Sequence, residues 1–133
     1  MNKEEFEGKV KDDLFEEPVE IKFRVVGVTF EGRQAVLKEL DNVGGAEIVL
    51  QADLENEYDE NAVAVYAKLG GGLKQAGYVP REGAPIVKKL LAHDGFEPEA
   101  TMDWVSKGSK NTFGMHITIR FTPKGNVAKS VGF

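Results

Sequence analysis

The sequence predicts a small, mostly β domain with one or two helices, its six strands forming a strongly curved sheet or partly open barrel. Three observations lead there. Short runs of alternating apolar and polar residues occur at six places, each bounded by turn residues. One segment, Glu82 to His93, carries helical apolar spacing through Ile86, Val87, Leu90 and Leu91. The 133 residues are 41% hydrophobic, enough for one modest core.

The elements follow in order. Residues 1–18 read as an acidic arm, flexible or loosely helical, ending at Pro18. The folded domain is expected over 19–123, and a tail over 124–133 with little reason to be ordered. Val19 to Phe30 alternates, with Ile21, Phe23 and Val25 against Lys22 and Arg24. It reads as a first strand, with Gly27 marking a bulge or a close approach. Gly32 to Leu40 fits either a short helix or an irregular connection. Glu47 to Ala52 is a second strand. The third, Ala62 to Ala67, and the fourth, beginning near Gln75, flank a glycine turn at Gly70-Gly71-Gly72. In the helix from Glu82, Pro85 fits the first turn and Gly95 the stop. Glu97 to Val105 and Thr112 to Thr122 are the last two strands, joined by a polar, basic loop.

Composition narrows the chemistry. There are no cysteines, which excludes thiol catalysis, disulfides and cysteine zinc sites. Two histidines, His93 and His116, cannot build a multi-histidine metal site. His93 reads as a helix cap, His116 as an exposed strand residue and Trp104 as core or rim packing. No apolar run approaches a membrane span, and the composition fits a cytoplasmic protein. The net charge of -5 argues at first against nucleic acid. However, the first twenty residues hold three basic and eight acidic groups, which leaves 14 of each sign in residues 21–133. A neutral domain can bind a few phosphates, although it will not coat duplex DNA.

The functional signal is concentrated between Asp53 and Glu82. An acidic turn carrying Asn56, Tyr58, Asp59 and Asn61 leads into the third strand, and the fourth ends in Gly77-Tyr78-Val79-Pro80-Arg81-Glu82. The hairpin brings Asn61 and Tyr78 to Arg81 toward one end. Tyr58 and Asp59 are therefore expected to project into the same cleft as Phe30 and Arg81. Arg81 precedes a helix start, where the macrodipole disfavours a cation, which favours a functional reason for it. The acidic turn fails as a calcium loop. Counting from Asp53, the sixth position is Tyr58 and the twelfth Ala64, where glycine and a bidentate glutamate are required. No nucleophile–base pair or metal-ligand set is visible, so the chain does not read as an enzyme, and no cofactor is implied.

The segments Val25-Val26-Gly27-Val28-Thr29-Phe30, Asn56-Glu57-Tyr58-Asp59-Glu60-Asn61-Ala62-Val63-Ala64-Val65 and Gly77-Tyr78-Val79-Pro80-Arg81-Glu82 resemble the HIRAN domain in order and spacing. The resemblance runs from about Ile21 to Thr122. It implies a modified OB-like barrel and a noncatalytic module that binds single-stranded DNA at its 3′-hydroxyl end. The setting it implies is DNA repair or replication-fork processing, with a helicase or other DNA-processing protein as partner. By the same resemblance, Phe30 and Tyr58 line the cleft against the terminal bases or sugar, and Asp59 accepts from the 3′-hydroxyl. Asn56 touches a base edge, Tyr78 and Arg81 face phosphates or the next base, and Phe113 stacks. Thr29 stands where the family's DNA-binding member has arginine, and Phe30 where it has tyrosine. The first change removes a phosphate contact and the second a hydroxyl. Glu55, Glu57 and Glu60 add negative charge around Asp59. The alternative expectation is a protein-interaction module that has lost DNA binding.

Overall fold

The computed structural model describes residues 17–30, 32–108, 110 and 112–124. Most of the expected acidic arm and all but the first residue of the tail lie outside the described residues. The elements in chain order are β1 (Val19–Arg24), α1 (Arg33–Val43), β2 (Ile48–Ala52), β3 (Val63–Leu69), β4 (Gly72–Tyr78), α2 (Ala84–Ala92), β5 (Phe96–Lys107) and β6 (Phe113–Pro123). No helix among the described residues is long and apolar enough to cross a membrane.

The six strands form one antiparallel sheet in the order β1-β6-β5-β2-β3-β4. The two edge strands nearly meet. Just past β1, Val26 pairs with Tyr78 at the end of β4, exchanging backbone hydrogen bonds of 2.9 and 2.8 Å. The sheet is thus curled until its edges touch at one bridge. The opposite seam is loose, since β2 and β5 share a single pair, Ile48 with Ala100. A sheet stitched at one point and slack at another is an open OB-like barrel.

The first strand is shorter than its alternation suggests. Its ladder with β6 stops at Arg24, after which Gly27 adopts a left-handed backbone with φ 69°. Glycine populates that region without the Cβ penalty. The chain there leaves β6 and crosses to β4, and Val28 to Phe30 become a turn instead of strand. Gly77 is what permits the crossing. A Cβ added there would run into the Val26 carbonyl oxygen and lie 2.7 Å from Val25 Cγ1.

The segment from Gly32, open between helix and loop in the sequence, is helix α1. Leu37 and Leu40 are fully buried on its inner face, and Gly44 caps its end by donating to the Leu40 carbonyl at 3.0 Å. The β3–β4 hairpin turns through Gly70 and Gly71, both with positive φ, the signature of a two-residue type I′ turn. The core gathers Met115, Ile117, Ile119 and Phe121 of β6 with Leu37, Leu40, Val63, Val65, Val87 and Leu90. Each fully buried aliphatic side chain contributes about 1.5–3 kcal/mol.

Of the two places expected for it, core or rim, Trp104 takes the rim and is 55% exposed. The cause is a bulge in β5. The register with β6 shifts between Met102 and Trp104, so Asp103 is an extra residue and both Asp103 and Trp104 face outward. His93 caps α2 at its C-terminal end, its Nδ1 accepting from the Gly95 N–H at 2.9 Å.

Candidate nucleic-acid interface

The loop between β2 and β3 is held by its own short side chains. Asn56 Oδ1 accepts from the backbone N–H groups of Tyr58 and Asp59, each at 2.9 Å. Asp59 Oδ1 accepts from the Asn61 N–H at 2.9 Å, and Asp53 N–H donates to the Ala62 carbonyl at 2.8 Å, closing the loop at its base. Such bonds fix a turn without regular structure. Asn56 has thereby committed its oxygen, and its Nδ2 reaches Asp53 at 3.4 Å. Among the described residues nothing donates to the second carboxylate oxygen of Asp59.

Arg81 comes to this loop from the far side of the hairpin, its Nη2 donating to the Tyr58 carbonyl at 3.0 Å. Tyr58 itself is 84% exposed. A cavity of about 480 Å³ opens here, lined by Asn56, Tyr58, Asp59, Asn61, Arg81 and Pro85 together with Glu57 and Glu60. It therefore presents an exposed aromatic ring, a carboxylate with one uncommitted oxygen and a guanidinium within one concavity. That set suits a sugar or base with a hydroxyl donor and a neighbouring phosphate.

Phe30 does not line that cavity. It is 64% exposed on the turn after Gly27 and meets the site indirectly. The guanidinium of Arg33 lies 5.9 Å from the Phe30 ring and 5.2 Å from the Tyr78 ring. Arg33 also donates to the Gly27 carbonyl at 2.7 Å and is only 9% exposed. Tyr78 in turn donates its hydroxyl to Asp53 at 2.8 Å. Thr29 is exposed on the same turn as Phe30.

Phe113 lies at a second concavity of about 410 Å³, shared with Gln34, Ala35, Lys38 and Lys107. Gln34 grips its backbone in both directions, accepting from the Phe113 N–H at 2.7 Å and donating to its carbonyl at 2.9 Å. The same amide nitrogen also donates to Val28, at 3.0 Å. The Lys107 ammonium sits 6.0 Å from the Phe113 ring. Adjacent residues of α1, Arg33 and Gln34, thus tie the Phe30–Tyr78 pair to Phe113.

Sequence reasoning missed Arg33, Gln34 and Asp53. Arg33 had one local signal, of the kind that singled out Arg81 just ahead of α2: a cation at the start of a helix, against the macrodipole. Gln34 and Asp53 act through contacts that no local pattern records.

A family model described as the HIRAN domain matches residues 19–122. No curated protein and no solved structure gives a significant match.

Proposed function

The chain belongs to the HIRAN domain family, and from that premise we propose that it binds single-stranded DNA at the 3′-hydroxyl end. HIRAN domains are DNA-binding modules, not catalytic ones. The observation that carries the finer reading is Asp59, whose second carboxylate oxygen is uncommitted beside exposed Tyr58 and Arg81. A free 3′-hydroxyl is a donor that internal nucleotides lack. A carboxylate placed to accept it discriminates ends, because hydrogen bonds to charged groups are among the stronger ones. Tyr58 and Phe30 supply stacking faces, Arg81 offsets a phosphate, and Phe113 takes a base further along. The setting this suits is DNA repair or fork processing, next to a helicase or other DNA-processing protein.

The test is a titration of labelled short oligonucleotides with free and blocked 3′ ends. Equal binding overturns end recognition. Binding of neither at high micromolar concentration and low salt assigns the cleft to a protein partner instead. Arg81→Ala is expected to weaken both oligonucleotides alike and to lower the salt slope by about one, as for a single phosphate contact. Thr29→Arg is expected to tighten binding and steepen that slope, because an exposed turn position beside Phe30 gains a phosphate partner. A salt series on each variant reads both.

A further inference from the structure

On the outer face of β1, β6 and β5, away from the cleft, the register aligns Arg24, His116 and Trp104 in one row across the three strands. The Trp104 and His116 rings stack, with centroids 4.3 Å apart and planes 17° from parallel. One indole face is thus covered by imidazole, and with Trp104 more than half exposed the other face is open to solvent. Gly114 shapes the ground beside it. A Cβ there would come within 2.7 Å of both Arg24 Nη2 and Ser106 Oγ, so the missing side chain is what lets the guanidinium lie across β6 toward β5.

Two exposed carboxylates on this face, Glu97 and Glu99, lie toward the far end of the β5–β6 ladder, opposite Thr122 and Arg120, and the charges nearer the row are engaged. Arg120 pairs with Glu20 at 3.1 Å. Asp103 accepts from the Thr118 hydroxyl at 2.6 Å, and Lys22 donates to that hydroxyl at 3.2 Å. Arg24 enters no ion pair among the described residues. An open aromatic face with an uncompensated guanidinium beside it is the pairing that holds a base and its phosphate.

We propose that Trp104, backed by His116 and flanked by Arg24, is a base-stacking platform that takes single-stranded nucleic acid as it leaves the cleft. Continuity supports this occupant. Trp104 lies three residues along β5 from Lys107, which pairs with Phe113, a separation of about 10 Å. The single β5–β2 pair is at Ala100, so among the described residues no strand pairs with the Thr101–Lys107 edge, and a strand of nucleic acid can pass over it from Phe113 to the outer face. The path falls within the site sizes of OB folds, about 4–16 nucleotides. The inference rests on nucleic-acid binding by this domain but not on recognition of the 3′ end.

Trp104 is the chain's only tryptophan, so its fluorescence reports this platform alone. The full chain is titrated with unlabelled oligothymidylate of about four and about twelve nucleotides, and binding is followed independently by anisotropy of labelled copies. The longer strand is expected to quench Trp104 and the shorter one not, with or without a blocked 3′ end. Trp104→Ala and Arg24→Gln should each weaken the twelve-nucleotide strand, the first by about 5- to 100-fold, and leave the four-nucleotide strand unchanged. Thermal melts of both variants confirm the fold. Tight binding of the longer strand without quenching overturns the platform while leaving the cleft reading intact. Quenching reached at the same concentration of free-ended and blocked strand upholds the platform and overturns end recognition, whereas quenching that is complete for both but needs more of the blocked strand upholds both. Absence of binding by either length overturns both.

Discussion

An oligonucleotide ending in a 3′-phosphate is expected to bind at least about tenfold more weakly than the same strand ending in a 3′-hydroxyl, and Asp59→Ala should erase the difference. Two effects act together. The phosphate removes the hydroxyl donor that the open oxygen of Asp59 would accept, and it brings negative charge against a carboxylate flanked by Glu57 and Glu60. For the hydroxyl-ended strand, Asp59→Ala should cost about 1–3 kcal/mol, the range for a hydrogen bond to a charged group. For the phosphate-ended strand the same substitution should help, since a repulsive charge is gone. The opposite signs separate end recognition from loop collapse, which would weaken both strands. Asp59 also holds Asn61 through Oδ1, so Asp59→Asn is the companion variant. It retains an oxygen for the Asn61 N–H while removing the charge. Anisotropy titrations at low salt with the two oligonucleotides measure all of this, and an unaltered preference in Asp59→Ala would dismiss the mechanism.

Much of this fold is legible in the sequence because it is written in local periodicity. The alternation in β6 sorts Met115, Ile117, Ile119 and Phe121 inward, and all four are buried. The stripe of α2 is read equally well through Ile86, Val87 and Leu90. What escapes is set by contacts between distant segments. Alternation continues through Val25 to Val28, yet β1 ends at Arg24, because Gly27 turns the chain toward β4. The bulge at Asp103 breaks the period of β5 and turns Trp104 outward, which a pattern of two cannot foresee. At the site, the turn chemistry of Asn56 and Asp59 is local and visible. The meeting of Arg81 with Tyr58, 23 positions apart, follows from the hairpin. The place of Arg33 between two aromatic rings depends on how α1 docks, and the sequence alone does not determine that.

The barrel closure offers the largest expected effect on stability. Gly77→Ala should lower stability by about 1–3 kcal/mol or more, the cost of forcing extra volume into a packed position. The new methyl would meet the Val26 carbonyl oxygen, which belongs to the one bridge among the described residues that joins the two edges of the sheet, the chain just past β1 and the end of β4. To relieve the clash, Val26 must move away, and Tyr78 loses both backbone bonds that hold it to the β1 side. Gly27 follows, and with it the carbonyl that Arg33 grips between Phe30 and Tyr78. The consequence reaches function, because the turn carrying Thr29 and Phe30 loses its tie through Arg33 to Tyr78. Gly83→Ala is the matched control. Its nearest neighbours to an added Cβ lie 3.8 and 3.9 Å away, ordinary contact, and its φ of -95° suits any residue. It should leave the melting temperature within a degree or two, whereas Gly77→Ala should drop it by roughly 5–20 °C. Hydrogen exchange should show the same asymmetry, with the Val26 and Tyr78 amides losing protection in Gly77→Ala while those of β5 and β6 keep it. Equal melting of the two variants would mean that the edges are not joined in this way and that Phe30 and Tyr78 are held by other contacts.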